Sequence, residues 1–456
     1  MKRMKKHALA TVLGTTLILT SVVPAIQAEQ ALPDISDWAV ETLHEGEKYG
    51  IFPMEWYYDG FQSTISMERL NSLLNLTDQK IASLNLPKND QFKPANVEGD
   101  NTRGDIVKRL YNLVAPYDAN ASQDPVAYLQ ARQVLQGSDK GLMLDQKATT
   151  QQAVLFAARL IKDTYAQAEQ GAKGVAWVVE DEDTKIYLLG SIHLGIPDLY
   201  PMHPKLTTAF NESQGLFVEA NLLDPEGANY YIEKAMYTDG TTIQDVLSEE
   251  TYQKLGKMAK ELGIPMEALQ TQKPWLISNE LSLLASDDAF GLSAQEMAAH
   301  GIDMQFLLSA MLQQKPIYEL EGVQAQVDMF DSISAEAQDQ ALADVLDILL
   351  NPSDKTIDEN NALLGEWFTS WKLGDAEGFA KSFNAIEGES SEQNAMLFGK
   401  RDEDMAQKIA TVLEEDKGTY FLVVGAGHFL VDKNIRYHLE EKGYKVVPFY
   451  QSTNPH

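Results

Sequence analysis

Two apolar runs in the second half of the chain end in the same way, with a glycine followed three residues later by a histidine. The run KIYLLGSIHLG places His193 three residues after Gly190. The run TYFLVVGAGHFL places His428 three residues after Gly425. Short continuous apolar runs bounded by glycine are typical of buried strands. The sequence therefore predicts two buried strands, each followed by a histidine in the adjoining turn.

Further short apolar runs of this half end in glutamate. GLFVE ends at Glu219, and KPIYELE ends at Glu321. The segments GVAWVVE and KVVPFY predict two more strands, the first of them in a hairpin with the strand before Gly190. Helical patterns separate most of these runs. Alternating strands and helices predict an α/β domain with many helices around a central sheet that is largely parallel or mixed.

Four candidate functional side chains follow strands of this predicted sheet: His193, Glu219, Glu321 and His428. In open α/β sheets, functional sites form at the carboxyl ends of the strands. We therefore expect these four side chains to converge, although each histidine alone is equally compatible with a loop residue bonded to backbone. Ser191 is interpreted as a loop residue, because the sequence identifies no base for it.

The first part of the chain has a different pattern, in which short amphipathic helices alternate with polar loops. Ser36–Gly50 places Trp38, Ala39, Leu43 and Tyr49 on one helical face. Later helices open with the segments SMER, TRGD and TTQQ, and TRGD has the form of a capping box. These helix, loop and capped-helix units resemble S-layer homology modules, which would imply binding to cell-wall polymer. A helical bundle without a ligand is the alternative.

The amino terminus has the features of a signal peptide. Basic residues at its start precede the apolar stretch Ala8–Val23, and a small residue, Ala28, is a suitable cleavage point. An uncleaved membrane anchor is the alternative, but the stretch is short for a membrane span. The sequence thus predicts a signal peptide at 1–28, a helical domain at 29–163, a linker at 164–174 and an α/β domain at 175–452.

Charge and composition narrow the possible functions. The formal net charge is −30, which argues against binding to nucleic acid. The chain has no cysteine, which excludes disulfides, a cysteine nucleophile and thiolate metal sites. The sequence contains no second apolar stretch of about 18 residues, the length that would predict a membrane span. We expect a secreted or cell-surface protein.

The candidate residues suit a divalent metal ion. Two imidazoles with one or two carboxylates are a ligand set for such an ion with an open coordination position. The metal would lower the pKa of bound water, and a carboxylate outside the metal site would act as general base. His193, His428 and Glu219 are the predicted metal ligands. Glu219 is either a metal ligand or a general base. Glu321 is either a metal ligand or a residue that supports a ligand from outside the metal site.

The α/β part also resembles a known family. The segments GSIHLGIPDLYP, FVEAN, KPW, GID, LEGVQAQ, RDEDMA and VVGAGH, in this order, are similar to those of the TraB/GumN group, which includes the animal TIKI metalloproteases. The resemblance implies a peptidase dependent on Mn²⁺ or Co²⁺, with Zn²⁺ as a further possibility. His193, Glu219 and His428 match the family's GxxH and glutamate positions, and Glu321 and Arg401 match other recurrent positions.

Some roles remain open at this level. Arg401 is either a clamp on a carboxylate or an oxyanion, or a surface arginine in a salt bridge. Asp303 is either a support for a ligand or a helix cap, and Asp402 stands where the family usually has Asn. We expect an exported metal-dependent hydrolase acting on a peptide or protein, associated with the cell wall. The alternative is a cell-surface protein that binds a peptide, such as a pheromone, without cleaving it.

Overall fold

The computed structural model describes residues 33–284, 289–351, 354–384 and 396–451. The predicted signal peptide at 1–28 lies outside these residues. The described chain forms two compact units. One contains residues 33–172 and 197–207, and the other contains residues 173–196 and 208–451.

The first unit is helical, as predicted. Its α-helices are α1 (Val40–Lys48), α2 (Met67–Ala82), α3 (Arg103–Val114), α4 (Pro125–Ala131) and α5 (Thr150–Gln167). The predicted caps are present: the side chains of Ser66, Thr102 and Thr149 accept backbone N–H bonds at the starts of α2, α3 and α5. These bonds satisfy donors that a helix start leaves free, and they fix where each helix begins.

Two details of this unit differ from the prediction. Trp38 is 67% exposed, whereas Ala39, Leu43 and Tyr49 are buried. Trp38 lies in a short 3₁₀ turn before α1, so the 3.6-residue period does not apply to it. The predicted linker at 164–174 is wrong for its first four residues, because α5 continues to Gln167. Thr164 is buried there and donates its hydroxyl to the Leu160 carbonyl, so its polarity does not end the helix.

A carboxylate on α1 links the stability of this unit to pH. Glu45 accepts bonds from Lys48 Nζ at 3.0 Å and from Tyr49 OH at 2.7 Å. Burial opposes ionisation, but Lys48, Lys162 and the Tyr49 bond lower the pKa of Glu45 to about 2. A carboxyl group with a lowered folded pKa stabilises the fold above its unfolded pKa, and this contribution is lost as the pH falls towards 2.

We expect Glu45→Gln to lower the free energy of unfolding at pH 7 by up to about 3 kcal/mol, the equivalent of this pKa shift. The difference from the wild type should shrink as the pH falls from about 4.5 towards 2. Urea unfolding of the full chain at several pH values, followed by circular dichroism, measures this. The exposed Glu41→Gln on the same helix is the control. A difference that does not change with pH would contradict the assignment.

The second unit contains a six-stranded mixed sheet. Its strands are β1 (Val175–Glu180), β2 (Thr184–Ser191), β3 (Leu216–Val218), β4 (Ile317–Glu319), β5 (Gly418–Gly425) and β6 (Val446–Pro448). The spatial order is β4-β3-β5-β2-β1-β6. The pairs β4–β3, β3–β5 and β5–β2 are parallel, whereas β1 is antiparallel to both β2 and β6. The predicted α/β class and the β1–β2 hairpin are confirmed.

The helices that follow β2 in the chain cover most of the remaining sequence. They are α6 (Pro204–Glu212), α7 (Pro225–Lys234), α8 (Ile243–Val246), α9 (Glu249–Glu261), α10 (Pro274–Leu284), α11 (Ala294–Ala299), α12 (Ile302–Leu312), α13 (Val323–Asp331), α14 (Ala335–Leu350), α15 (Asp354–Leu373), α16 (Ala376–Asn384), α17 (Lys400–Glu415), α18 (Gly427–Leu430) and α19 (Ile435–Glu441). Shorter 3₁₀ turns connect several of these elements.

The sheet core and one helix contact position the functional edge. Phe421 on β5 is fully buried and stacks on Phe306 of α12, with 5.0 Å between ring centroids. The indole N–H of Trp371 on α15 donates to the carbonyl of Gly190 in β2 at 2.6 Å. Together these contacts hold α12 and α15 against the two central parallel strands. Both helices contribute residues near the carboxyl ends of these strands.

Candidate active site

Four adjacent parallel strands deliver the candidate residues to one edge of the sheet. The strands β4, β3, β5 and β2 all run in the same direction. Ser191 at the end of β2 pairs with Gly425 at the end of β5, so the turns that carry His193 and His428 start side by side. Glu219 directly follows β3, and Glu321 follows β4 by two residues. The expected alignment of these positions at the carboxyl edge is therefore present.

His193 is oriented by a carboxylate on α12. Its Nδ1 lies 2.9 Å from Asp303 Oδ2. This close contact turns Nδ1 towards the carboxylate and leaves Nε2 for the site. Burial lowers the pKa of His193, but Asp303 outweighs it, and the pKa rises to about 9. Ser191 donates to the other oxygen, Oδ1, of Asp303 at 2.5 Å.

These contacts resolve two points that the sequence left open or placed wrongly. Asp303 supports His193 and provides no side-chain cap for α12. Ser191 is the last residue of β2, not a loop residue, and its hydroxyl holds Asp303 in place. The approach of α12 to the His193 turn requires a glycine at 301, because a Cβ atom there would lie 2.1 Å from the His193 carbonyl oxygen.

His428 has the same kind of support from α17. Its Nδ1 lies 2.7 Å from Asp402 Oδ1, and Asp402 has no solvent exposure. The other oxygen, Oδ2, accepts the backbone N–H of Gly399 at 2.9 Å, at the start of α17. The edge of Phe398 packs against the His428 ring, with 5.2 Å between centroids. His428 is thus buried, with its Nε2 3.7 Å from Glu219 Oε1.

Glu219 is held by donors on both of its oxygens. Oε1 accepts the backbone N–H of Gly425 at 2.5 Å. Oε2 accepts Arg401 Nη2 at 3.3 Å and Gln326 Nε2 at 3.2 Å. Burial raises the pKa of Glu219, but His428, Arg401, His193 and the Gly425 amide together lower it below its usual value. Glu219 is therefore an ionised and fixed carboxylate.

Arg401 and Glu321 form a second row behind Glu219. Arg401 binds Glu321 through two parallel bonds, Nε to Oε1 at 2.7 Å and Nη2 to Oε2 at 2.6 Å. Nη1 donates to the Leu397 carbonyl at 2.9 Å. Arg401 makes the salt bridge of the second interpretation, but its side chain is 14% exposed, so the surface location is wrong. Gln326 also donates to Glu321 Oε2, at 3.0 Å, and joins the two glutamates.

His193, His428 and Glu219 form a first row of side chains, which converges on the backbone of Gly425. A Cβ atom built on Gly425 would lie 3.2 Å from Glu219 Oε1, 3.7 Å from His428 Cδ2 and 3.8 Å from His193 Nε2. The missing side chain thus leaves a small space that all three predicted ligands face. Glu321 and Arg401 do not reach this space. Among the described residues, no three His, Cys, Asp or Glu side chains are spaced as a complete metal site.

A narrow pocket adjoins this space. Its polar side is formed by His193, His428 and residues 425–427, and its apolar side by aromatic residues of α15 and α16 and by Phe398. The enclosed room is about 20 Å³, enough for one group the size of a water molecule or a methyl. The pocket thus combines two imidazoles with an aromatic wall, which is the mixture of a few polar groups and an apolar lining that small-molecule sites have.

The sequence profile of the TraB/PrgY/gumN family matches residues 175–448, which are more than half of the chain. The chain belongs to the TraB/PrgY/gumN family. The matched region begins at β1 and ends at β6, so it contains every strand of the sheet and all the residues of the two rows.

Individual relatives agree with the family assignment. The chain is 32% identical to the uncharacterized protein YbaP of Escherichia coli (strain K12) over 189 residues, which are 41% of this chain and 63% of the relative. YbaP of Shigella flexneri aligns with the same figures. The chain therefore spans less than two thirds of the length of these relatives. No solved structure matches the chain. Within the described ranges, no helix has both the length and the hydrophobicity to cross a membrane.

Several residues of this TraB/PrgY/gumN site carried no role in the sequence interpretation. Gln326 lies in a segment that resembles the family, but the sequence assigns it no contact, and Asp402 stands out only as a departure from the family's usual Asn, without a partner. Trp367 and Phe383 lie on α15 and α16, far in sequence from both histidine turns. Gln326 could have been noticed in the sequence as a polar residue on the apolar face of a predicted helix. For the aromatic wall the sequence provides none.

Proposed function

We propose that this protein is an exported metal-dependent hydrolase that cleaves peptide bonds in a peptide or protein substrate. The observation that carries the proposal is the convergence of His193 Nε2, His428 and Glu219 on Gly425. Each of these groups is fixed from behind by a buried partner: Asp303, Asp402 or Arg401. Such support from outside the ligand set is typical of metal sites and fixes the orientation of the ligands.

The donor set suits Mn²⁺ or Co²⁺, and also Zn²⁺. Because the pKa of His193 is raised to about 9, His193 would release a proton when the ion binds. The two imidazole nitrogens and one carboxylate would then hold the ion and leave positions for water and substrate. A bound ion at this place would lower the pKa of its water and polarise the scissile carbonyl. The lowered pKa of Glu219 makes it a weak base, which favours the role of ligand over that of general base.

The remaining residues position these groups. Hydrogen bonds with Glu321 and Gln326 join Arg401 to Glu219. We therefore propose that Arg401 orients Glu219 and does not clamp the substrate. Asp303 and Asp402 keep the protons of the histidines on Nδ1. The aromatic wall keeps bulk water from the reacting groups, which strengthens the electrostatic interactions between them.

Export and attachment to the cell wall belong to the same proposal. The basic start, the apolar stretch and Ala28 support a cleaved signal peptide. The capped helix pairs before residue 164 support an S-layer-homology-like unit that binds wall polymer. Sedimentation of the mature protein with purified wall sacculi tests the attachment, and a protein that stays in solution would contradict it.

We expect the purified chain to cleave members of a peptide library in the presence of Mn²⁺ or Co²⁺ and to lose this activity with a chelator. His193→Ala and His428→Ala should each lower divalent-ion affinity at least tenfold and abolish cleavage, because each removes one ligand. Mass spectrometry of the peptides and titration of the ion measure the two effects. His438→Ala, a histidine outside the site, is the control and should match the wild type.

The outcomes separate the two hypotheses. Cleavage that depends on the ion and on both histidines supports the hydrolase. Peptides that are retained but remain intact under all metal conditions would contradict it and support the peptide-binding protein. Equal ion affinity in the wild type and both variants would contradict the metal site.

A further inference from the structure

The pocket beside the two histidines has an unusually uniform aromatic wall. The wall residues are Trp367, Phe379, Phe383 and Phe398. Trp367 and Phe379 stack with 5.6 Å between ring centroids, and Phe383 and Phe398 meet edge to face at 6.2 Å. None of these rings is part of the hydrogen-bonded rows around Glu219. Apart from the exclusion of water, these rings have no assigned role in the proposed chemistry.

Trp367 has a polar atom without a partner. Its side chain is 1% exposed, and among the described residues its indole N–H finds no hydrogen-bond acceptor. The neighbouring Trp371, four residues further along α15, donates its indole N–H to the Gly190 carbonyl. Buried N–H groups are nearly always paired, because an unpaired one loses its bond to water without compensation. Because Trp367 also lines the pocket, its indole N–H is available to an acceptor from a ligand.

We propose that this pocket is the subsite for a small uncharged residue of a peptide substrate, whose side chain contacts the aromatic wall and whose carbonyl accepts the Trp367 N–H. A residue bound in this pocket would lie next to the proposed metal ligands, because His193 and His428 line the same pocket. The room of about 20 Å³ suits a methyl group.

The chemistry of the wall sets the selectivity. A basic side chain would lose its hydration among aromatic rings without gaining an anionic partner, and the glutamate side chain is too large for a room of methyl size. A large side chain would clash with Phe383 and Phe398, which already pack against the backbone of Gly427: a Cβ atom there would lie within 3.0 Å of both rings. Alanine-like residues avoid both penalties, whereas glycine leaves the wall without a contact.

This inference deepens the proposed peptide hydrolysis and rests on it, but binding can be measured without hydrolysis. The probes are N-acetylalanine N-methylamide and the corresponding glutamate and phenylalanine compounds. The full chain is labelled with 5-fluorotryptophan, and the Trp367 resonance is identified as the one missing from Trp367→Phe. Ligand-observed NMR provides the affinity of each probe for the wild type and all variants.

We expect the alanine probe to shift the Trp367 resonance in a saturable manner, and the glutamate probe to leave it unchanged. Trp367→Phe should weaken binding of the alanine probe about three- to tenfold, the effect of one hydrogen bond. Trp275→Phe replaces another buried tryptophan, outside the pocket, and should bind the probe as the wild type does. Phe383→Ala should bind the phenylalanine probe more tightly than the wild type does.

An unmoved Trp367 resonance, or equal affinity in Trp367→Phe and the wild type, would overturn the subsite. So would a Phe383→Ala variant with unchanged preference for probe size. If the probes bind as expected but no peptide is cleaved, the subsite stands and the hydrolase is contradicted. If peptides are cleaved without preference for a small uncharged residue, the hydrolase stands and the subsite is overturned.

Discussion

Replacement of Arg401 by methionine is expected to lower the free energy of unfolding by about 3–5 kcal/mol, the usual cost of breaking a buried ion pair from one side. Arg401 donates two bonds to Glu321 and one to Glu219, and all three side chains are less than 15% exposed. Without the guanidinium, two ionised carboxylates face each other in a poorly hydrated space. Urea unfolding of the full chain measures the loss.

The double variant Glu321→Met/Arg401→Met separates stability from function. Removing both members of a buried pair is often close to neutral, so the double variant should recover most of the stability lost in Arg401→Met. Glu219 would still lack the donor on its Oε2, so metal-dependent cleavage should not recover. Arg436→Met is the matched control, because Arg436 bonds to the Phe429 carbonyl and stacks on Trp177, and forms no salt bridge among the described residues.

Two results would contradict this account. A single Arg401→Met variant as stable as the Arg436→Met control would show that the pair with Glu321 is not a buried ion pair in solution. A double variant that regains cleavage together with stability would show that Arg401 is not needed to orient Glu219. Arg401→Lys provides a further check, since lysine keeps the charge but loses the paired geometry.

The strands and the first row of the site could be predicted because both depend on local sequence. The four strands that carry the site residues are short apolar runs that end at or next to a glycine or a glutamate, and parallel pairing brings these ends to one edge. His193 and His428 follow directly from this rule. The register supports it, since Ser191 pairs with Gly425, so the two histidine turns are offset by only one residue.

The second row and the pocket could not be predicted in the same way. Asp402 and Arg401 are neighbours on α17, yet one bonds to His428 and the other to two glutamates. Helical periodicity predicts which face is buried but not which partner lies opposite. Trp367 shows the same limit, because its burial is expected for any tryptophan on an apolar face, whereas its unpaired N–H is a property of the packed structure.

Asp402 provides the second large expected effect. Asp402→Ala should lower the affinity for the divalent ion about 10- to 100-fold, the usual result of removing the residue that orients a histidine ligand. The variant leaves the Nδ1 proton of His428 without an acceptor in a buried position. It also removes the bond from the Gly399 N–H at the start of α17, which should cost about 1 kcal/mol of stability. Competition with a chromophoric chelator measures the affinity, and urea unfolding measures the stability.

Asp402→Asn should divide these two roles. Its carbonyl oxygen still accepts the Nδ1 proton of His428, so ion affinity should stay close to that of the wild type. Its NH₂ group then faces the Gly399 N–H, and two donors in contact should cost about 1–3 kcal/mol of stability. Asp303→Asn is the matched comparison, because its NH₂ group would face the Ser191 hydroxyl, which accepts as well as donates. Equal destabilisation by the two Asn variants, or loss of ion binding in Asp402→Asn, would contradict this division.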